Sequence, residues 1–371
     1  MKVALIVPGG VSRRPEDGWI PGLTWLIARL AERHEVHVFS LRGAPRPDRY
    51  VLAGATVHHA GARPVRLRAL ASIVAEHRRA PFAVLHGFWV TPAGVVAVAA
   101  GTLLRRPVLV HVTGGELVSM PDIRYGGQSS RRARFWIRLG LAATRLTAPS
   151  EPMVRALAAR GRTATRVPLG VARDRWAPQP PRRRDPVTPA RIVHVGDLNP
   201  IKDQRTLLRA ARRLADTGAA FTLEIAGRDT LGGAMQAYAA ELELDRWVRF
   251  QGQLPHERVY QLVAAADLFW LSSRHEAGPL AFLEAAILGV PTIGTAVGHV
   301  VEWAPDSAIS VPVGDADALA QETARLLADE PRRQALARSA QERALACDAD
   351  WTAQRFEALY EEMLRGVSAR G

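Results

Sequence analysis

Short apolar segments alternate with polar turns and amphipathic runs along both halves of the chain. In the first half, six apolar segments are predicted to be strands: 2–8, 35–41, 55–60, 82–87, 107–113 and 145–150. Helical periodicity between them is clearest at 22–34 and 65–79. Because hydrophobicity within the strands is continuous rather than alternating, we expect both faces to be covered, as in a parallel sheet.

The same pattern restarts near residue 190. The predicted strands there are 190–196, 221–227, 246–252, 267–272 and 290–294, and the predicted helices are 204–216, 256–266 and 278–289. The segment 173–190 is dense in proline and arginine, so it reads as an extended inter-domain linker.

This organisation predicts an α/β protein with two doubly wound parallel-sheet (Rossmann-like) domains facing a cleft. The first domain covers 1–172 and the second 191–350, with ligands expected at the carboxyl ends of the strands. Residues 351–371 are predicted to form a C-terminal helix that can return to the first domain.

The longest charge-free span, 81–104, is long enough for a membrane helix. Its Thr91-Pro92-Ala93-Gly94 sequence instead divides it into a buried strand and a small-residue helix. The apolar run at the N-terminus is too short for a signal peptide. The single cysteine excludes a disulfide framework or a Cys/His metal array. We therefore predict a cytoplasmic protein.

Charge narrows the choice of partners. The formal net charge of +13 favours a polyanion: a phosphate-rich ligand, an anionic lipid surface or a nucleic acid. No nucleic-acid module is recognisable and aromatic residues make up only 6%, so we predict no nucleic-acid partner. Among the 49 basic residues only Lys2 and Lys202 are lysines, and Lys202 follows a predicted strand in "VGDLNPIKDQ" (195–204).

The most specific segment is "RHEAGPLAFLEAAILGVPTIGT" (274–295). Glu276 follows a strand, Gly278 and Pro279 open a helix, and Glu284 lies on that helix eight residues after Glu276. Free amides at a helix start, where proline is tolerated in the first turn, form a natural phosphate site. The alternative is that Glu276 is a solvated loop carboxylate and Glu284 a surface residue. The apolar surroundings of Glu284 favour a hydrogen-bonded partner for it.

These residues resemble the E-x7-E signature of retaining glycosyltransferases of family 4 (glycosyltransferase group 1), which have the GT-B fold. The usual form is roughly E-G-F-G-L-x-x-L-E-A-M-A-x-G-x-P-V. Further similarity covers 167–178, 248–273 and 308–327. The resemblance implies transfer of a sugar from a nucleotide-diphosphate sugar to an acceptor hydroxyl, with retained anomeric configuration and no cofactor or essential metal.

The resemblance also assigns donor-side roles. Glu276 would contact the hydroxyls of the donor sugar, Lys202 would neutralise the diphosphate, and Glu284 would bind the ribose. The backbone of Gly278, Pro279 and Leu280 would hold the sugar and the distal phosphate. Gly18 belongs to an altered glycine-rich loop at 16–25.

The chain departs from the family pattern beside Lys202. Asp197 stands where the family has an arginine, and Asp203 stands where it has a glycine. An anion near a diphosphate weakens its binding, so Arg228 or Arg205 is expected to compensate for Asp197.

On the acceptor side, the H-G-x-[DE] segment of the family reads "HVTGGE" (111–116). Thr113 occupies the histidine position, Glu116 the acidic position, and His111 lies two residues upstream. With His86, at another strand end, these residues are the acceptor-side candidates. The basic surface suggests a glycan or lipid-linked acceptor and peripheral association with the inner membrane face.

Other readings stay open. One is a non-catalytic sugar-nucleotide-binding partner subunit, and another is a GT-B-type nucleotide-sugar epimerase or phosphorylase. The donor nucleotide (UDP, GDP or ADP) is also open. The Asp-Ala-Asp triplets at 315–317 and 348–350 precede helices and are predicted to be N-caps rather than metal ligands. A metal site shared by His58 and His59 is not expected, because adjacent strand residues face opposite ways.

Overall fold

The structure is a computed structural model that describes residues 1–13, 18–42 and 46–368. The chain divides into two compact units. Unit 1 comprises Met1–Ala172 and the segment from Asp348 onward, and unit 2 comprises Arg173–Cys347. Each unit has its own sheet and its own hydrophobic core.

Unit 1 is built on an eight-stranded sheet. Its strands are β1 (Lys2–Val7), β2 (Glu35–Ser40), β3 (Asp48–Leu52), β4 (Ala55–His59), β5 (Val84–Phe88), β6 (Val108–His111), β7 (Arg145–Ala148) and β8 (Thr165–Arg166). Their spatial order is β3-β4-β2-β1-β5-β6-β7-β8, and all pairs are parallel except β3 with β4. The six predicted strands are confirmed, whereas β3 and β8 were not predicted.

The α-helices described between these strands are α1 (Pro21–Ala31), α2 (Val65–Arg79), α3 (Val95–Leu104), α4 (Arg131–Gly140) and α5 (Glu151–Ala158). The charge-free span 81–104 forms β5, a π-helical turn at Val90–Gly94 and α3, as the Thr-Pro-Ala-Gly sequence predicted. Throughout the described ranges, no helix combines the length and the apolar character needed to cross a bilayer.

Unit 2 contains a six-stranded, fully parallel sheet of β9 (Ala190–Val195), β10 (Phe221–Ala226), β11 (Val248–Gly252), β12 (Leu268–Leu271), β13 (Thr292–Thr295) and β14 (Ile309–Val311). Its helices are α6 (Gln204–Asp216), α7 (Ala234–Glu241), α8 (His256–Ala264), α9 (Leu280–Ile287), α10 (Gly298–Trp303), α11 (Ala316–Ala328) and α12 (Glu330–Ala346).

The strand order of unit 2, β11-β10-β9-β12-β13-β14, reverses direction between β9 and β12. In open α/β sheets such a reversal opens a crevice at the carboxyl ends of the two strands, because the following helices go to opposite faces. The loops after β9 and β12 are therefore where a ligand of unit 2 is expected.

The last helix, α13 (Ala349–Ser368), belongs to unit 1. Its Phe356 and Tyr360 are fully buried in the core of that unit, and the Tyr360 hydroxyl lies 2.7 Å from Nδ1 of His86. Asp348 caps α13 by accepting from the Trp351 amide, and Asp315 caps α11 by accepting from the Ala318 amide. Both predicted N-caps are confirmed.

The segment 173–189 contains no helix or strand but is packed onto unit 2. Trp176 is completely buried, and Arg182 pairs with Asp267 at 2.7 Å. The buried guanidinium of Arg333 donates to the carbonyl of Arg182. The extended conformation was predicted, but the segment is part of unit 2 rather than a free spacer.

A polar cluster lies beneath α2 in unit 1. The ammonium of Lys2, itself buried, is 3.0 Å from Oε1 of Glu76 and 5.0 Å from the centre of the Phe82 ring. His37 and His58 contact each other at 2.9 Å, and with Glu76 they place three metal-ligand atoms within 4.8 Å of one another. The carboxylate of Glu76 already has a cationic partner there in Lys2.

Candidate active site

Lys202 and Glu276, 74 residues apart in sequence, meet at the crevice of unit 2. Lys202 lies in the turn after β9 and Glu276 in the loop after β12. The ammonium nitrogen of Lys202 is 2.6 Å from Oε1 of Glu276, and the two side chains are 26% and 13% exposed. The pair is therefore largely enclosed by protein but still open to a ligand.

The turn that carries Lys202 is held by side chains. Oδ1 of Asn199 accepts hydrogen bonds from the amides of Ile201 and Lys202, and Ser272 donates to the Lys202 carbonyl at 2.7 Å. A Cβ at Gly196 would lie 3.4 Å from Cε of Lys202, so glycine lets the lysine stem lie close to the backbone. Helix α6 starts at Gln204, as predicted, so Lys202 lies two residues before the helix.

Asp203 explains one departure from the family pattern. It adopts the left-handed conformation, with φ 48° and ψ 53°, which glycine adopts freely and aspartate tolerates better than most residues. Its carboxylate also caps α6, accepting from the Thr206 amide at 3.3 Å and the Thr206 hydroxyl at 2.7 Å. Aspartate thus supplies the conformation of the family's glycine together with an N-cap.

Asp197 is paired with Arg228. Nη2 of Arg228 donates to Oδ2 of Asp197 at 2.8 Å, and the Arg228 amide donates to Oδ1 at 3.2 Å. Arg205, the other candidate, places its guanidinium 4.4 Å from the centre of the Tyr238 ring. Of the two candidates, Arg228 is therefore the residue whose positive charge compensates for the carboxylate of Asp197.

Hydroxyl groups fix the loop of Glu276. Ser273 donates to Oε1 of Glu276 at 2.6 Å, and Thr295 donates to the Ser273 carbonyl at 2.6 Å. Gly298 has φ +48°, and a Cβ there would lie 3.2 Å from Cβ of Glu276 and 2.9 Å from Cδ of Pro279. Glycine at 298 therefore lets α10 approach the Glu276 loop closely.

The start of α9 faces the same loop. Pro279 is the N-cap, with φ −68° and ψ 118°, and the helix begins at Leu280, two residues later than predicted. Proline offers no side chain to cap the helix, so the first-turn amides of Leu280 and Ala281 keep their capacity to donate. Together with the positive end of the helix dipole, and with Gly278 immediately before Pro279, they can receive an anion.

Glu284 has a partner that the sequence did not identify. Its side chain is 7% exposed, and Oε1 lies 3.1 Å from Nε2 of His256 at the start of α8. The indole nitrogen of Trp176 is 3.2 Å from the other His256 ring nitrogen, Nδ1, which can accept its hydrogen bond. The expectation that Glu284 has a partner is confirmed. A histidine opening α8 in "PHERV" was the available signal.

His194 is a second residue that the sequence reading missed. It is fully buried in β9, with Nδ1 3.0 Å from the Trp270 carbonyl and Nε2 3.3 Å from the side-chain nitrogen Nε2 of Gln204. Burial lowers the pKa of His194 to about 4, helped by the charge of Lys202. The neutral ring supports the turn beneath Lys202 without adding charge.

His86 lies inside β5 rather than at its end, whereas His111 ends β6 as predicted. Both are completely buried in unit 1, so neither can contact an acceptor in this structure. His86 is covered by Tyr360 of α13, and Nδ1 of His111 is 2.9 Å from the Thr147 hydroxyl. Burial lowers the pKa of His111 to about 3 and that of His86 well below its ordinary value. Both are neutral core histidines.

Thr113 and Glu116 follow β6 in a tight loop. Oε1 of the buried Glu116 accepts from the Val90 amide at 2.9 Å, and burial raises the pKa of the carboxyl. Its Oε2 and the Thr113 hydroxyl have no hydrogen-bond partner among the described residues. Gly18 lies in a separate, exposed turn with φ +100°, next to residues 14–17, which are outside the described ranges.

Comparison with known proteins agrees with this geometry. Residues 18–171 match the family described as "Glycosyl transferase 4-like domain", and residues 178–343 match "Glycosyl transferases group 1". The two matches fall on the two halves of the chain. This chain belongs to the group 1 glycosyltransferases.

Individual relatives fit the same class. A glycogen synthase of Mycobacterium tuberculosis is 32% identical over 171 residues, which is 46% of this chain and 41% of that protein. A D-inositol 3-phosphate glycosyltransferase of Corynebacterium jeikeium is 30% identical over 214 residues, which is 53% of this chain and 51% of the relative. The chain thus spans about half the length of these curated relatives or less.

A solved structure covers almost the whole chain. Sucrose-phosphate synthase from Thermosynechococcus elongatus superposes with a TM-score of 0.79 at 20% identity, covering 98% of this chain and 99% of that one. This likeness shows the GT-B glycosyltransferase fold.

Proposed function

We propose that the protein is a retaining glycosyltransferase that moves a sugar from a nucleotide-diphosphate sugar to an acceptor hydroxyl. The observation that carries this proposal is the 2.6 Å contact between Lys202 and Glu276 beside the start of α9. A cation and free helix amides stand next to a carboxylate that can bind hydroxyls. This is the set of groups that a sugar diphosphate requires.

In the proposed reaction the bond between sugar C1 and the diphosphate oxygen breaks as the acceptor oxygen bonds to C1 on the same face. Lys202 and the amides of Leu280 and Ala281 stabilise the negative charge on the leaving diphosphate. The departing phosphate oxygen takes the proton of the acceptor hydroxyl, so no nucleophilic carboxylate is needed. Glu276 holds a hydroxyl of the donor sugar. The products are the glycoside and the nucleoside diphosphate.

The remaining donor contacts follow the same logic. Glu284, oriented by His256, binds the ribose hydroxyls, while Gly278 allows the chain to approach the phosphate. Arg228 neutralises Asp197, which keeps that carboxylate from opposing the diphosphate. The solved structure of the Anabaena protein HepE with UDP and glucose, 18% identical with a TM-score of 0.75, makes UDP-sugars the first donors to test.

Metal independence is part of the proposal. The positive charge at the diphosphate comes from Lys202 and the α9 terminus, so we expect EDTA to leave the transfer rate unchanged. On the acceptor side, Thr113 and Glu116 are the groups proposed to receive a glycan or lipid-linked sugar. We place the enzyme in the cytoplasm, at the inner face of the membrane.

Substitution of Lys202 by alanine tests the assignment. Loss of a hydrogen bond to a charged group costs about 1.5–3 kcal/mol, so we expect kcat/KM for the donor to fall at least about tenfold. The matched control is Arg213→Ala, which removes an exposed cation from α6, the helix that follows Lys202. Release of UDP or GDP from sugar donors, with acceptors offered, is the measurement.

Each outcome separates the candidate functions. Donor turnover by Lys202→Ala at the wild-type rate contradicts the proposed role of Lys202. Donor binding by the wild-type protein without turnover on any acceptor favours the non-catalytic partner subunit. Conversion of the donor to a different nucleotide sugar indicates an epimerase. NMR of the product anomer then decides whether configuration is retained.

A further inference from the structure

Helix α4 carries exposed apolar side chains between arginines. Phe135 is 55% exposed and Leu139 is 38% exposed, and they are one helical turn apart on the outer side of the helix. Four arginines lie on the same ten-residue helix, which contains no acidic residue: Arg131, Arg132, Arg134 and Arg138. We call these six residues the α4 face.

The opposite side of α4 accounts for its attachment to unit 1. Ile137 is buried, and a Cβ at Gly140 would lie 2.5 Å from the Val90 carbonyl oxygen, so the helix sits directly on the turn after β5. The residues on the inner side of α4 are thus packed against unit 1. The outward apolar positions are left in water, which is unfavourable unless another surface covers them.

The neighbouring helix α2 extends this surface. The guanidinium of Arg66 lies 5.0 Å from the centre of the Trp136 ring, which joins α2 to α4. Next to it on α2, Leu67 is 67% exposed and Arg68 is also exposed. Within the described residues, Arg131, Arg132 and Arg138 have no carboxylate partner.

We infer that the α4 face docks the protein onto an anionic lipid bilayer. A short helix with aromatic and aliphatic side chains between cations is suited to the interface plane, where apolar groups enter the acyl boundary and arginines meet lipid phosphates. A nucleic acid would use the arginines but would leave Phe135 and Leu139 in water. The combination therefore favours an anionic lipid surface as the occupant.

The α4 face is connected directly to the acceptor-side loop. Arg134 donates to the Gln128 carbonyl at 3.1 Å, and the Gln128 side chain donates to the Glu116 carbonyl at 2.8 Å. Docking through α4 holds the Glu116 loop near the bilayer surface. This rests on the proposed function, and it specifies an acceptor hydroxyl presented by a lipid-linked molecule at that surface.

Vesicle co-sedimentation tests the inference with the full-length protein. We expect binding to vesicles of phosphatidylglycerol and phosphatidylcholine at low salt, weakened by added salt, and little binding to pure phosphatidylcholine. Arg132→Glu/Arg138→Glu is expected to reduce partitioning at least about tenfold. Phe135→Ser/Leu139→Ser is expected to reduce it several-fold and to leave its salt dependence in place.

Matched controls come from exposed positions in unit 2. Arg183→Glu/Arg249→Glu makes the same change in net charge, and Val187→Ser removes an exposed apolar side chain. Both are expected to bind vesicles as the wild type does. Equal losses in the control and in the α4 variants, or no wild-type binding to anionic vesicles, overturn the inference.

Donor turnover, measured on the same proteins with a soluble acceptor, keeps the two proposals separate. The α4 variants should retain it, because none of the substituted residues belongs to unit 2. Absent turnover in the wild type with intact vesicle binding would remove the proposed enzyme activity and leave the docking surface standing.

Discussion

Trp176, His256 and Glu284 form a line of contacts that ends on the carboxylate proposed to bind ribose. Trp176 is buried, and its indole N–H lies 3.2 Å from Nδ1 of His256, whose Nε2 lies 3.1 Å from Oε1 of Glu284. A carboxylate that is almost buried needs hydrogen-bonded partners to keep one orientation. We infer that His256 is a positioning residue for Glu284 and that Trp176 holds the imidazole.

Trp176→Phe removes the indole N–H and keeps an aromatic ring in the pocket. Because a neutral hydrogen bond contributes about 0.5–1.5 kcal/mol, we expect the donor KM to rise roughly two- to tenfold with little change in kcat. His256→Ala should have a larger effect. The control is Tyr260→Phe, since Tyr260 contacts Trp176 and the Ala177 carbonyl. An unchanged donor KM in both variants, measured by steady-state kinetics, would contradict the positioning role.

Lys2, the second lysine, has a structural partner in Glu76. Burial raises the pKa of Glu76, but the hydrogen bond from Lys2 and the charges of Lys2 and His37 outweigh it and lower the pKa to about 2. A lowered folded-state pKa means that the carboxylate stabilises the fold above its unfolded value near 4.5. That contribution is lost as the pH falls from about 4.5 through about 2.

Glu76→Gln tests this linkage. At pH 7 we expect the free energy of unfolding to fall by about 1.5–3 kcal/mol, the cost of losing a hydrogen bond to a charged group. The difference from wild type should shrink as the pH is lowered below 4.5, because the unfolded Glu76 carboxylate takes up a proton there while the folded one stays charged. Urea unfolding at several pH values measures it. A difference that stays constant from pH 7 to pH 3 would refute the assignment.

The sequence predicted the positions of some functional residues but not of others. Lys202 and Glu276 were predictable because each follows a strand and both match a spaced family signature. His86 was predicted to lie at a strand end, but it lies inside β5 and is covered by Tyr360, 274 positions later in the sequence. The contact between Trp176 and His256 spans 80 positions and has no local signal. The local hydrophobic pattern of the sequence identified the strands, whereas contacts between distant residues decided which strand ends stay accessible to a ligand.

At the scale of elements, the predicted strands and helices were those with strong periodicity or continuous apolar character. The antiparallel strand β3 was missed because it lies at the sheet edge, where Asp48 and Arg49 are exposed. The strand β14 has only three residues. Helix α12 carries arginines on several sides, so its apolar stripe is weak in the sequence.

Helix α12 also explains why the segment 173–189 stays on unit 2. The guanidinium of Arg333 is 1% exposed, binds both carboxylate oxygens of Glu330 and donates to the carbonyls of Asp267 and Arg182. The Arg184 amide also donates to Glu330 at 3.0 Å. A single buried cation therefore joins α12, the turn before β12 and the segment 173–189.

Arg333→Met should destabilise unit 2 strongly. Removing one partner of a buried ion pair costs about 3–5 kcal/mol, because the other charge and its neighbouring carbonyls lose their hydrogen bonds. The double variant Arg333→Met/Glu330→Met is expected to be more stable than Arg333→Met alone. Arg338→Met, exposed on the same helix, serves as the control and should change stability by less than about 0.5 kcal/mol. Equal urea midpoints for Arg333→Met and wild type would exclude this role.

At the scale of the molecule, the two units differ in whether their cores are built from one continuous segment of the chain. Unit 2 is one continuous stretch, 173–347, and its core draws on residues within that stretch. Unit 1 needs the C-terminal helix α13, which contributes Phe356, Leu359, Tyr360 and Met363 to its core. Each such side chain stabilises by about 1.5–3 kcal/mol when buried, so together they rival the total stability of an ordinary domain, about 5–15 kcal/mol.

This difference predicts opposite results for two truncations. The fragment 173–347 should unfold cooperatively on its own and bind UDP. A chain ending at residue 347 should keep that transition and lose the cooperative transition of unit 1, because the core beneath α13 becomes exposed. A chain ending at residue 368 is the control and should keep both. Thermal unfolding followed by circular dichroism, with and without UDP, separates the units, since only the transition of unit 2 should shift with ligand. A 1–347 chain that retains both transitions would show that α13 is dispensable for unit 1.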